Sequence, residues 1–119
     1  MPNPRTEWLR AARARLVDVD KRVERLVRSL PEIEVAIRHA EGKIEADARE
    51  RIRMLRKEAN EQLGVLHGHQ REASSLLRQL STAAEGSWGE LEQAADRALT
   101  EARAVADSML ERLRHVVTQ

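Results

Sequence analysis

Between Leu30 and Ser81, apolar and small residues return every three or four positions: Ile33, Ile37, Ala40, Ile44, Ala48, Ile52, Leu55, Ala59, Leu63, Leu66, Ala73, Leu77 and Leu80. That spacing dries one face of an α-helix and would scatter over both faces of a strand. Gln70 is the only polar interior position. Ile33, Ile44, Leu55, Leu66 and Leu77 stand eleven apart, and the series goes on through Trp88, Leu99 and Leu110. A period of eleven is about 3.67 residues per turn, so the stripe runs nearly straight. Read as one helix, the stretch would be roughly 78 Å long. The expected shape is therefore elongated, with the rest of the chain laid along this helix.

Composition supports an all-α fold. The 119 residues contain no Phe, Tyr or Cys and two Trp, and Arg, Ala, Leu and Glu dominate. This suits long helices and supplies neither the β-branched content of a sheet nor a globular aromatic core. Without cysteine there is no disulfide, thiolate metal site or cysteine nucleophile. No signal peptide is expected from Met1 to Glu7, and no eighteen-residue apolar run occurs, so a cytoplasmic protein is expected.

Local signals divide the chain into three helices. Asn3 before Pro4 has the form of an N-cap followed by proline at the first helical position. A first amphipathic stripe follows: Trp8, Ala12, Leu16, Val19, Val23, Leu26 and Leu30. Ser29-Leu30-Pro31-Glu32 has capping-box form and reads as a stop and restart, and Ser87-Trp88-Gly89-Glu90 repeats it, with Gly86 placed to cap the helix before. The predicted helices are roughly Pro4–Arg28, Leu30–Ser81 and Trp88–Thr118. Gly42 reads as a single tolerated glycine. Gly64 and Gly68 either break the long helix or let a neighbour approach closely.

The expected architecture is a three-helix antiparallel coiled coil, an elongated bundle with a long central helix. In it Trp88 lies over Leu77 and Leu80, and Trp8 lies near Ile52 and Leu55. Trp8, Leu55, Leu66, Leu77, Leu80, Trp88, Leu99 and Leu110 are the candidate core and interaction residues. Apolar residues beside the stripes, namely Val17, Val27, Val35, Val65, Leu76, Val105, Leu110 and Val116, predict a homodimer or higher homo-oligomer with a four-helix cross-section built from two chains.

Chemistry-bearing motifs are absent. His67 and His69 form an HxH pair, but two residues apart on a helix they point about 200° away from each other and cannot share a metal. No histidine has a glutamate three residues before it, as a carboxylate-bridged di-iron bundle requires. No nucleophile elbow, phosphate-cradling loop or HExxH occurs. Hence neither catalytic, cofactor nor metal residues are expected, and a non-enzymatic structural or interaction protein is.

Charge is uneven although the net is +1: Arg5–Ser29 holds eight basic and four acidic residues, Thr82–Gln119 four basic and seven acidic. The arginines of the first helix (Arg5, Arg10, Arg13, Arg15, Arg22, Arg25, Arg28) are expected to meet the acidic third helix of a neighbouring protomer. A reversible amphipathic membrane-surface binder is the alternative, since eleven-residue periodicity also serves lipid-surface helices. Nucleic acid is disfavoured by the interspersed acids and the lack of stacking aromatics.

A Trp-led first helix, a long middle helix closing in Leu77, Leu80 and Ala83-Ala84, then Gly86-Ser87-Trp88-Gly89-Glu90-Leu91 and alanines at 94, 95, 98 and 102, resemble small bacterial alanine-rich coiled-coil proteins grouped as a stress-response family. The third helix departs from that pattern by lacking a second tryptophan and by ending in Leu113-Arg114-His115. The resemblance implies the fold and a link to stress, and no chemistry that could be carried onto residues here.

Overall fold

In a computed structural model, which describes residues 3–39 and 46–117, the chain forms three helices: α1 Pro4–His39, α2 Ala46–Ser81 and α3 Glu85–Val117. The fold is all-α and elongated, with extents of 63 × 23 × 15 Å. Every pair of helices is in contact. The cross-section is thus three helices from one chain, where the sequence pattern suggested two helices from each of two chains.

The first turn is the main departure from expectation. α1 does not stop at Arg28 but runs through Pro31 to His39, so the helices have similar lengths and there is no long central one. Pro31 lacks an N–H, crowds the preceding turn and costs about 3 kcal/mol in a helix interior. Burial offsets that. Ile33 is 1 % exposed and shares a cluster with Val19, Val23, Leu26, Ala59 and Leu66, with Leu30 packed against it. A helix ending at Arg28 would withhold Ile33 and the partly buried Leu30 from that cluster, a burial worth about 1.5–3 kcal/mol for Ile33 with a further part of that for Leu30. Ser29 caps nothing. Its hydroxyl donates back to the Arg25 carbonyl at 2.8 Å, a bond that competes with the regular ladder. The expected readings of Gly42 and Ile44 and the end at Thr118 lie outside the described residues.

Moving the turn moves the register. Glu34 faces Arg56 and Asp20 faces Gln70, two pairings both centred on chain position 45, whereas a turn at Ser29 would centre them near position 30. Trp8 therefore lies far from Ile52 and Leu55. It packs with Leu9, Ala12, Leu77, Leu80 and Trp88 at the opposite end of the bundle. The α2–α3 seam, with Glu58 opposite Arg112 and His69 opposite Glu101, is centred on position 85, as its short connection dictates.

At the helix ends, Asn3 Oδ1 accepts from the Arg5 N–H at 3.0 Å, an N-cap with Pro4 at the next position. α3 starts earlier than Ser87. Glu85 and Gly86 are already helical, Ala84 stands at the cap, and its carbonyl accepts from the Ser87 N–H at 3.1 Å. Gly86 therefore belongs to α3 and does not cap α2. α2 runs unbroken through Gly64 and Gly68, and a Cβ at either would meet nothing within 4 Å, so neither glycine marks a close approach.

The eleven-residue series survives across both turns. Ile33, Leu66, Leu77, Trp88 and Leu99 are buried, and Leu55 and Leu110 pack against the core from its edge. Two clusters fill the interior, one around Leu26, Leu66 and Leu113, the other around Leu77, Leu80 and Trp88. Replacing Pro31 by Ala should raise stability by about 2–3 kcal/mol, and Gly64→Ala and Gly68→Ala by about 1 kcal/mol each. Thermal melts check both, and a Pro31→Ala variant melting lower than the parent would mean that the proline contributes to the fold of α1.

Candidate functional site

The chain's two aromatic residues meet at one end of the bundle. Trp8 and Trp88 stand edge to face, with ring centroids 6.2 Å apart and planes at 73°. The Arg5 guanidinium lies 4.9 Å from the Trp88 ring centroid and 3.8 Å from Glu85. Trp88 Nε1 donates to Glu92 at 2.9 Å. The ring pair is covered on the fold's side, while the Glu85 carboxylate that pairs with Arg5 stands in solvent. The tryptophan pair closes the bundle where α1 begins, α2 ends and α3 begins.

Charge pairing along the seams follows helical spacing. On α1, Arg15 and Arg22 point at α3. Arg15 reaches Asp96 at 2.7 Å and Thr100 at 3.0 Å, while Arg22 reaches Asp107 at 2.6 Å and pairs with Asp18 one turn back. The basic first helix thus meets the acidic third helix of its own chain, and no neighbouring protomer is needed for it. Arg22 hydrogen-bonds to Asp107 and Asp18 and is held in its charged form, and its guanidinium holds the Asp18 carboxyl below the usual aspartate range. Between α2 and α3, Arg112 grips Glu58 with both terminal nitrogens at 2.6 and 2.7 Å. That bidentate bond lowers the Glu58 carboxyl and raises Arg112.

The flanks of α2 differ sharply. Arg49, Arg53, Arg56, Asn60, His67, Arg71, Ser74 and Arg78 are spaced by threes, fours and sevens and form one stripe without a single acid. Contacts place it toward α1: Arg56 meets Glu34, and His67, Arg71 and Ser74 border a shallow depression with Leu16 and Asp20. Glu58, Glu61 and Glu72 take the other flank, where Glu58 meets α3. Arg49 Nε is shielded from water and has no hydrogen-bond partner among the described residues, an unmet donor of the kind that costs about 1–3 kcal/mol.

Of the candidate residues, Leu66, Leu77, Leu80, Trp88 and Leu99 are buried, and Trp8, Leu55 and Leu110 are partly so. They are core, divided between two clusters, and form no single site. The HxH pair splits as the helix demands: His67 bonds Gln70 within the α1 seam, and His69 lies 3.9 Å from Glu101 of α3. Among the described residues no three His, Asp or Glu gather as metal ligands, no helix is long and apolar enough to cross a membrane, and no buried residue is polar or charged. An open groove between the start of α2 and the end of α3 sets Ile52, Met54 and Leu55 among charged residues, including Glu50, Arg51, Lys57, Glu58 and Arg112. The acid-free stripe is legible in the spacing from Arg49 to Arg78, but which neighbour it faces depends on the register of α1 against α2, which spacing alone does not fix.

The chain matches no family model, no curated protein and no solved structure. What it can do must be read from its surface.

Because Glu58 has a lowered pKa in the fold, its contribution to stability is complete above the ordinary glutamate value of 4.5 and is lost as pH falls through the lowered one. Glu58→Gln should therefore melt below the parent at neutral pH, and the gap should close progressively as the pH drops below 4.5. A gap that stays constant down to acid pH would mean that the carboxylate charge contributes nothing.

Proposed function

We propose that this protein is a non-enzymatic structural or interaction protein that acts through its helical surface as a homo-oligomer. The observation that carries this reading is the apolar ridge on the α2–α3 side. Met54 and Val65 stand eleven residues apart on one line of α2, 63 % and 47 % exposed, and Met54 borders the open groove with Ile52 and Leu55. Large exposed apolar side chains aligned on one face, beside an open groove with apolar residues between charged ones, are what an amphipathic partner helix covers. Leu76, Val105 and Leu110 have found cover within the bundle, so the ridge is narrower than the sequence pattern suggested.

The interior supports the same reading. The described buried residues are all apolar, and the ion pairs connect one helix to the next. The polar side chains thus set register and solubility. A link to stress, carried by the family resemblance, is part of the proposal and predicts that the chain's abundance rises when its native cell is stressed.

Light scattering at micromolar concentration should give a mass of at least twice the 13.6 kDa of one chain. The double variant Met54→Lys with Val65→Lys should bring it back to one chain without loss of helicity. A parent mass that stays at 13.6 kDa through a tenfold rise in concentration would refute the oligomer.

A further inference from the structure

We propose that the closed bundle docks on anionic lipid membranes through the face formed by α1 and α2. This inference does not depend on the oligomeric state, since the face lies away from Met54 and Val65.

The face is defined by an excess of unpaired positive charge. Arg49, Arg53, Arg71 and Arg78 lie on the acid-free stripe of α2, and Arg13 joins them from α1, between the level of Leu9, which packs with Leu77 and Leu80, and that of Leu16, which borders Arg71. Among the described residues none of the five has a carboxylate partner. The contrast with the α1–α3 seam is sharp, because there Arg5, Arg15 and Arg22 all meet acids of α3. Of the acids on the proposed face, Glu34 pairs with Arg56 and Glu24 lies near Arg28, while Asp20, which accepts from the neutral Gln70, keeps its single negative charge against the five arginines. In a chain of net charge +1, the bundle thus sorts its charge so that one face is left with arginines. Those on α2 extend over roughly 44 Å at 1.5 Å per residue.

Exposed apolar residues on the same side select the kind of anion. Val17 is four residues from Arg13 and three from Asp20, Val27 is seven from Asp20, and Val35 lies five turns beyond Val17 on the same line. All three are about half exposed. Arginines interleaved with exposed valines on a long shallow surface match the headgroup boundary of an anionic bilayer, where phosphates meet the guanidinium groups and methyl groups enter the interface. A nucleic-acid duplex would give the valines nothing. A single strand calls for stacking aromatics, and the two tryptophans are packed on each other at the bundle's end. The amphipathic stripes themselves are spent on the core, so binding does not require the helices to open.

The test is flotation of the full chain with phosphatidylcholine vesicles, with and without phosphatidylserine, at low and high salt. Binding should require phosphatidylserine and weaken with salt. Arg71→Gln with Arg78→Gln should reduce partitioning about 25-fold, from roughly fivefold per arginine near a charged surface. Arg71→Lys with Arg78→Lys should retain it. Lys57→Gln with Arg97→Gln, which removes the same charge elsewhere, should change it less than about twofold. All four arginine and lysine positions are exposed, and melting curves confirm folding. Tryptophan emission should not change on binding, because the Trp8–Trp88 pair stays inside the closed bundle. No binding to phosphatidylserine vesicles, equal loss in the two Gln pairs, equal binding to neutral vesicles, or an emission shift reporting opened helices would each overturn the proposal. So would retention of binding to vesicles by the Arg71→Gln, Arg78→Gln pair while binding to duplex DNA is lost, which would assign the face to nucleic acid.

Discussion

Burying Ile33 requires α1 to continue past Arg28 and through Pro31, and the rest of the bundle follows from that continuation. With α1 ending at His39 and α2 beginning at Ala46, the two helices become equal in length and lie side by side along their whole extent. Trp8 is thereby carried to the end where α2 closes, and α3, arriving from Glu85, supplies Trp88 beside it. Had the chain turned at Ser29, the tryptophans could not have met, and one flank of a long central helix would have remained open to a second chain. A local cost of about 3 kcal/mol at one proline is offset by the burial of Ile33, the partial burial of Leu30 and everything that the resulting register brings together.

The same register decides which charges are used. α1 and α3 run parallel to each other, both antiparallel to α2, so Arg15 and Arg22 come opposite Asp96 and Asp107. Exposed ion pairs of this kind each add about 0–1 kcal/mol, and their larger effect is to discriminate against slipped alignments in which like charges would face each other. Consumption of the acids by one seam is also what leaves the α1–α2 face with a surplus of arginine. Charge segregation is therefore a product of folding, in a chain whose overall balance is close to neutral.

The helix-forming signals were strong and local. Three-and-four spacing, the alanine and leucine content, the Asn3 cap and the eleven-residue series are each readable within a few turns of sequence, and the structure places Ile33, Leu66, Leu77, Trp88 and Leu99 in the interior as that series implies. The capping-box pattern failed twice for a common reason. A Ser-x-x-Glu match describes what a helix start can use if the chain starts there, and says nothing of whether burial further along makes stopping more costly than continuing. At Ser29 continuing was cheaper, and at Ser87 α3 had already begun at Glu85.

The sequence by itself determined that this chain is helical, that each helix has one dry face, and that the dry faces are long enough to make a rod, because helix periodicity is a property of neighbours along the chain. Only the tertiary structure decided where the first turn falls, which end Trp8 occupies, that Arg5, Arg15 and Arg22 of α1 meet α3 of their own chain, and which face is left positive. Those outcomes depend on distant residues such as Ile33, Ala59 and Leu66 competing for the same interior, and a sum over long-range contacts cannot be read from spacing alone.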